Sequence, residues 1–101
     1  LITSSAASDV YKRQDLEGPI YLSLDMDALD PAFAPGVGTP EPLGMTPYEV
    51  IQTINFFSDR IVGFDCVEVC PPHDNGNTSA LAARLIRHLV GAVWQSQQRF
   101  K

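Results

Sequence analysis

Three carboxylates stand where apolar segments of the sequence end. Asp25 and Asp27 lie at the end of segment 20–26, and Glu68 lies near the end of segment 61–69. If 20–26 is an extended strand, the side chains of Asp25 and Asp27 share a face, with Cβ atoms about 6–7 Å apart. Two carboxylates that converge on one point repel each other unless a cation lies between them, and hard divalent ions such as Mn²⁺ or Mg²⁺ favour oxygen ligands. The spacing fits a divalent metal site, and it fits two solvated loop acids equally well.

Two other classes of protein carry the same Asp-x-Asp spacing. A calcium-binding EF-hand loop needs glycine at its sixth position and glutamate at its twelfth, but counting from Asp25 those positions hold Asp30 and Gly36. Phosphatases of the haloacid dehalogenase type use one Asp of such a pair as nucleophile and the other as acid. They usually carry Thr or Val two positions after the second Asp, where this sequence has Leu29 and then a proline-rich stretch. The EF-hand is excluded, and the phosphatase remains an alternative.

The elements that must position these acids begin with a strand and a long loop. Apolar residues dominate 20–26, which predicts a strand. Segment 30–44 holds four of the chain's eight prolines, and neither a helix nor a central strand tolerates such a run. It is predicted to be a loop, ordered or disordered, and loops of this length in compact domains are usually functional.

A helix, a second strand and a second helix follow. The run 46–49 (Thr-Pro-Tyr-Glu) is a helix-start signal with a capping box, and the helix is expected to end near 58–59. Segment 61–69 is apolar on both faces, which favours a covered parallel strand. Asn77 or Thr78 is expected to cap the last helix. This order is typical of an α/β protein, whose ligands bind beyond the carboxyl ends of the strands.

Composition restricts the possible partners. The chain has 101 residues and a net charge of -5 without a cluster of basic residues, which argues against nucleic acid or an anionic membrane surface as partner. No apolar run reaches the roughly 18 residues of a membrane span.

The two cysteines are too far apart to pair. On one strand, Cys66 and Cys70 would lie about 13 Å apart, too far for a disulfide. We therefore expect a reduced, cytoplasmic protein.

The chain divides into two parts. Residues 1–14 show neither helical nor strand periodicity and resemble translated adapter sequence, so we expect a non-native or disordered segment there. Residues 15–101 carry the strand and helix pattern. Two strands form too small a sheet to be stable in isolation, so we expect 15–101 to be a fragment of a larger domain.

One longer motif identifies a family. Segment 23–31 (S-L-D-M-D-A-L-D-P), followed by A-P-G-V-G-T-P-E-P at 34–42, resembles the metal signature of the ureohydrolase (arginase/agmatinase) family. The run 67–74 resembles that family's next strand and its exit, and P-E-P-L-G-M-T at 40–46 is most similar to agmatinases. The resemblance implies the C-terminal part of a three-layer α/β/α arginase-like domain with a mainly parallel sheet.

The resemblance also implies a site and a reaction. Asp25 would bridge two Mn²⁺ ions, Asp27 would bind one of them, and Glu68 would receive the guanidinium of the substrate in bidentate geometry. The two metals would generate hydroxide near neutral pH. Agmatine, a small cationic guanidino compound, would then yield putrescine and urea.

Departures from the family pattern leave alternatives open. The family's other ligands, a His and a D-x-H-x-D motif, do not occur in residues 1–24, so we expect this chain alone to be inactive. Another ureohydrolase activity, on arginine, guanidinobutyrate or formimidoylglutamate, is the nearest alternative, and a metal-free pseudoenzyme or oligomer subunit is a second. The family commonly forms homo-oligomers. His73 stands where many agmatinases carry an aromatic residue, and it is assigned to the pocket mouth ahead of metal ligation.

The remaining polar residues are given structural roles. Asp30 is expected to fix the loop by accepting backbone hydrogen bonds. Asp65 is interpreted as a structural partner, and Ser23 as a group that orients a ligand carboxylate. His88 is placed on the solvated face of the last helix, and Trp94 in C-terminal packing or a subunit contact.

Overall fold

The computed structural model describes residues 17–98, so the prediction of a non-native segment at 1–14 lies outside the described residues. The elements are β1 (Ile20–Asp25), a 3₁₀ turn (Met26–Ala28), α1 (Pro47–Phe57), β2 (Ile61–Val67), a second 3₁₀ turn (Pro71–His73) and α2 (Asn77–Gln98). The predicted order of strand, loop, helix, strand and helix is confirmed. None of the helices in the described part has the length and apolarity that a bilayer crossing requires.

The two strands lie side by side and run parallel, as their apolar character predicted. Asp25 is opposite Val67 at the last position of the pairing. Both strands therefore end at the same edge of the sheet, and the residues that follow them meet there. This edge carries all three of the acids singled out above.

Both strands are shorter than the sequence pattern suggested. β1 ends at Asp25 because the next three residues form a 3₁₀ turn. β2 ends at Val67 because Glu68 has a positive φ of 70°, which takes the backbone out of the extended region. Val69 then forms an antiparallel bridge with Val37 in the loop.

Helix α1 begins as its sequence predicts. The Thr46 hydroxyl accepts a hydrogen bond from the Glu49 amide at 3.2 Å, and the Glu49 carboxylate accepts one from the Thr46 amide at 3.1 Å. This reciprocal pair is a capping box with proline at the first turn, and it satisfies amides that have no partner inside the helix.

Helix α2 begins at Asn77, but neither Asn77 nor Thr78 supplies the capping oxygen. Oδ2 of Asp74 accepts hydrogen bonds from the Thr78 amide at 2.9 Å and from its hydroxyl at 2.7 Å. The prediction that Asn77 or Thr78 caps this helix was therefore wrong. A carboxylate accepts more donors than a hydroxyl, and Asp74 also takes the Gly76 amide at 3.0 Å.

The core lies where the helices cover the sheet. Its fully or almost fully buried members come from all four elements and include Leu22, Leu24, Val50, Ile54, Phe57, Ile61, Leu85 and Leu89. Ser96 of α2 donates a hydrogen bond to the carbonyl of Ser58, the residue after α1, at 3.0 Å, and His88 of α2 is hydrogen-bonded to Asn55 of α1 at 2.8 Å. His88 is half-buried and its hydrogen bond to α1 is exposed to solvent, so the predicted solvated face also carries this contact.

Candidate metal and substrate site

A hydrogen bond between the first two acids shapes the end of β1. Oδ1 of Asp25 accepts the Asp27 amide at 2.9 Å. This contact caps the 3₁₀ turn that begins at Met26, so Asp27 does not continue the extended face of the strand. The two acids remain adjacent at the sheet edge, but a turn joins them in place of the extended backbone that we expected.

The Asp27 carboxylate has one satisfied and one unsatisfied oxygen. Oδ2 accepts a hydrogen bond from the Thr39 hydroxyl at 3.1 Å. Oδ1 is buried and has no hydrogen-bond partner among residues 17–98. A buried carboxylate oxygen without a donor is costly unless a cation or another donor meets it. A pair of acids with such an oxygen fits a hard divalent metal ion.

The described residues contain only part of a coordination sphere. Within residues 17–98, no three His, Cys, Asp or Glu side chains lie close enough together to hold a metal ion. Protein metal ions generally take about four to eight ligands. Asp25 and Asp27 can supply carboxylate oxygens to such a site, and further ligands have to come from elsewhere.

Glu68 follows the end of β2, at the sheet edge that carries the acid pair, and has a strained backbone conformation. It follows Val67, the pairing partner of Asp25, and its side chain is exposed. Its φ of 70° is costly for a residue with a Cβ atom. Such strain persists only where the surrounding structure holds the residue in place. The structure therefore brings all three predicted site residues to one edge.

The proline-rich loop is ordered, and Asp30 fixes one end of it. The Asp30 carboxylate accepts the amides of Ala32 at 2.8 Å and Gly44 at 3.2 Å. These backbone hydrogen bonds, that from Ala32 above all, lower the pKa of Asp30. A bridge between Leu29 and Met45 closes the same end. The loop-fixing role predicted for Asp30 is confirmed.

The middle of the loop is bound to the start of α2 and to the segment after β2. The Gly36 amide donates to the buried Thr78 hydroxyl at 2.7 Å, and the Gly36 carbonyl accepts the Cys70 amide at 2.7 Å. Nδ1 of His73 lies 2.8 Å from the Val37 carbonyl. His73 therefore contacts the loop backbone, and metal ligation by it stays without support.

A second polar cluster involves residues on both strands. Asp65 accepts hydrogen bonds from the hydroxyls of Ser23 at 2.7 Å and Tyr21 at 3.0 Å. The Tyr21 hydrogen bond to the carboxylate raises the pKa of the phenol. Asp65 is a structural partner, as predicted. The Ser23 hydroxyl is engaged by Asp65, so its proposed role beside a ligand carboxylate was wrong.

Cys66 and Cys70 form no disulfide, as their spacing predicted.

Thr39 contacts the Asp27 carboxylate, and the sequence did not indicate this contact. It lies 12 residues after Asp27 in an irregular loop, where no periodicity indicates which side chain turns back to the strand end. Only the motif in which it stands could have indicated it.

The fold and the site together define an α/β protein with a two-carboxylate edge. A family model for the arginase family matches residues 3–91. This chain belongs to the arginase family.

Curated relatives and a solved structure agree with that assignment. The chain is 49% identical to the mitochondrial guanidino acid hydrolase of Homo sapiens over 80% of its length, and 48% identical to the mitochondrial agmatinase of Gallus gallus over 78%. It covers 24% of each of these relatives, so it spans about a quarter of their length. The agmatine ureohydrolase of Thermoplasma volcanium superposes on 93% of the chain, with a TM-score of 0.84 and 39% identity, and the chain covers 32% of it. The arginase-like α/β fold is thereby confirmed.

Proposed function

We propose that the full-length protein hydrolyses the guanidino group of agmatine to putrescine and urea with manganese as cofactor. The observation that carries this proposal is the buried Oδ1 of Asp27, which has no partner in the described part of the chain. Asp27 is two residues from a second acid, Asp25, whose carboxylate accepts the Asp27 amide. Membership of the arginase family supplies the reaction class, hydrolysis of a guanidino compound.

Asp25 and Asp27 are the residues that would hold the metal. The chemistry that manganese supplies when bound is a lowered pKa of water, which yields hydroxide near neutral pH. Asp25 holds the Asp27 amide through Oδ1, and Thr39 holds the Asp27 carboxylate through Oδ2. These two hydrogen bonds orient both carboxylate groups before any ligand binds.

Glu68 would bind the substrate guanidinium. Its carboxylate is exposed at the same edge, one residue beyond the partner of Asp25. A planar guanidinium and a carboxylate form paired, charge-assisted hydrogen bonds. This pairing would place the guanidinium carbon close to the acid pair, and the net charge of -5 would favour the approach of a cation.

Agmatine is the substrate that the loop sequence favours, because P-E-P-L-G-M-T at 40–46 is similar to agmatinases. A guanidino acid such as 4-guanidinobutyrate is the second candidate, since one relative at 49% identity is named a guanidino acid hydrolase. The two substrates share the guanidinium and differ in charge at the far end, so one assay with both compounds distinguishes them.

The test measures urea release and bound manganese in the full-length protein. Asp25→Asn and Asp27→Asn should lose both. Glu68→Gln should bind most of the manganese that the wild type binds. Its rate of urea release should fall by about 100-fold or more, because glutamine cannot form the charge-assisted hydrogen bonds to the guanidinium. Asp59→Asn alters an exposed acid before β2, at the opposite end of the strand, and should leave both quantities unchanged. Full manganese occupancy in the Asp25 or Asp27 variant would refute the ligand assignment.

The 101-residue chain should release no urea and bind manganese weakly, because its described part gathers no third ligand at the acid pair. Adding manganese to this chain and measuring bound metal after dialysis checks this expectation. A full-length protein that binds no manganese and releases no urea from either substrate would favour a pseudoenzyme or an oligomer subunit.

A further inference from the structure

A second cleft lies between the two helices and shares no residue with the acid edge. It has a volume of about 460 Å³, and its lining includes Asn55, Arg84, Arg87, His88, Gly91 and Trp94. This volume falls in the range of small-molecule sites, about 300–1,000 Å³. Asn55 belongs to α1 and the others to α2.

The cleft concentrates the positive charge of an acidic protein. Residues 17–98 contain three arginines and no lysine, against ten carboxylates. Two of those arginines, Arg84 and Arg87, line the cleft, and no Asp or Glu does. The third, Arg60, lies over the Phe57 ring at 5.1 Å. The cleft is therefore a cationic site in a molecule of opposite charge.

Neither cleft arginine makes a hydrogen bond or an ion pair with another residue of the described part. The two stand three positions apart on α2, where like charges repel along one helix face. A pair of guanidinium groups in this arrangement is complementary to an anion with several acceptor oxygens.

The neutral groups of the cleft are donors as well. Nε2 of His88 lies 2.8 Å from Oδ1 of Asn55, and because that oxygen only accepts, the ring nitrogen donates. Oδ1 of Asn55 therefore accepts the hydrogen bond from His88, and the NH₂ group of the Asn55 side chain can donate to a ligand. Trp94 adds an indole N–H and an aromatic face, with a side chain that is 62% exposed.

Gly91 keeps the cleft open. It lies inside the 22-residue helix α2, where glycine is a poor helix former. A Cβ atom placed on it would meet no other atom within 4 Å, so packing does not require glycine there. The missing side chain instead leaves space between Arg87 and Gln95, which also lines the cleft.

We propose that this cleft binds a phosphate group, with Arg84 and Arg87 on its oxygens and the Asn55 amide as a further donor. The group could come from inorganic phosphate or from a phosphate ester, and Trp94 offers a face on which the base of a nucleoside monophosphate would stack.

The test titrates inorganic phosphate and AMP into the full-length protein at constant ionic strength, set with chloride, while heat release and tryptophan fluorescence are recorded. Trp94→Phe identifies the part of the signal that comes from the cleft. Saturable binding of phosphate or AMP is expected, and tighter binding of AMP than of phosphate assigns the ester as the source. Absence of saturable binding by both would overturn the proposal.

Three variants test the named residues. Arg84→Gln/Arg87→Gln should weaken binding about 100-fold, at roughly tenfold for each lost charge-assisted hydrogen bond. Gly91→Leu should block the cleft while keeping or raising the melting temperature, because leucine is the better helix former. Arg60→Gln removes an arginine outside the cleft and should leave binding unchanged. Binding that survives both cleft variants would refute the site.

Discussion

The hydroxyl of Thr39 donates a hydrogen bond of 3.1 Å to Oδ2 of Asp27. Thr39 stands in the proline-rich loop, and Asp27 in the 3₁₀ turn after β1. The contact means that the loop, and not the strand alone, orients the Asp27 carboxylate. Oδ1 has no partner among residues 17–98, so it is the oxygen that the proposed metal site would offer to a cation.

Thr39→Val in the full-length protein is therefore expected to weaken manganese binding by about 10- to 100-fold, the range found when a partner of a metal ligand is removed. Valine keeps the shape of threonine and loses only the donor. Thr39→Ser keeps the donor and should bind nearly as wild type. Manganese titration of the three proteins checks this, and equal affinities for Val and wild type would remove Thr39 from the site.

Glu68→Gly should increase stability while it abolishes urea release. The φ of 70° at Glu68 costs about 1 kcal/mol for a residue with a Cβ atom, and glycine relieves that cost. Leu43, with a φ of 63° and an exposed side chain, is the matched control. Leu43→Gly should gain a similar amount and keep its activity. Urea denaturation and a urea-release assay measure the two effects, and an active Glu68→Gly enzyme would exclude Glu68 from substrate binding.

Local sequence signals predicted the elements well where the determinants are local. The capping box at Thr46 and Glu49 involves residues three apart, and the apolar character of 61–69 agrees with the parallel pairing of β2, although Val62 on that strand is 75% exposed. The end of β1 was misplaced because one side-chain hydrogen bond, from the Asp27 amide to Asp25, turns the chain. Periodicity carries no information about such a contact.

The sequence singled out the three acids of the candidate site, whose roles stay predictions, and it did not indicate the residues that contact them. Asp25, Asp27 and Glu68 follow from motif and position at the strand ends. Contacts such as Gly36 to Thr78, 42 residues apart, depend on how the loop folds back over α2. Ser23 was misassigned for the same reason, because its partner Asp65 lies 42 residues away on the other strand.

Thr78→Val should lower the free energy of unfolding by about 1–3 kcal/mol, the cost of a buried donor left without an acceptor. The Thr78 hydroxyl accepts the Gly36 amide and donates to Asp74, and the side chain is fully buried. Thr78→Ser retains both contacts and loses one methyl group, so it should be the milder change. Denaturant unfolding of the three proteins measures the difference, and a Val variant as stable as wild type would contradict the anchoring role.

Stability should fall at acid pH through Asp30 and Asp74. Hydrogen bonds lower the pKa of both carboxyl groups below the usual 3.8. The largest contribution comes from the Ala32 amide at Asp30 and from the Thr78 hydroxyl at Asp74. The resulting stabilisation is complete above that value and is lost as the pH falls through the lower folded-state pKa. Melting curves between pH 7 and pH 2 follow the loss, and Asp30→Asn/Asp74→Asn should flatten the dependence below pH 4.

Gly44→Ala should be among the most destabilising single changes in the loop. A Cβ atom at Gly44 would lie 2.6 Å from the Asp30 nitrogen and 2.7 Å from the Leu29 carbonyl carbon. Both are backbone atoms held by the Leu29–Met45 bridge, so the loop has to shift, at about 1–3 kcal/mol or more. Gly38→Ala, in the same loop, meets no atom within 4 Å and should change stability by less than about 0.5 kcal/mol. Since Thr39 is in the segment that would move, Gly44→Ala should also weaken manganese binding, and Gly38→Ala should not. Equal unfolding free energies for the two variants would show that the loop does not pack against Asp30 as described.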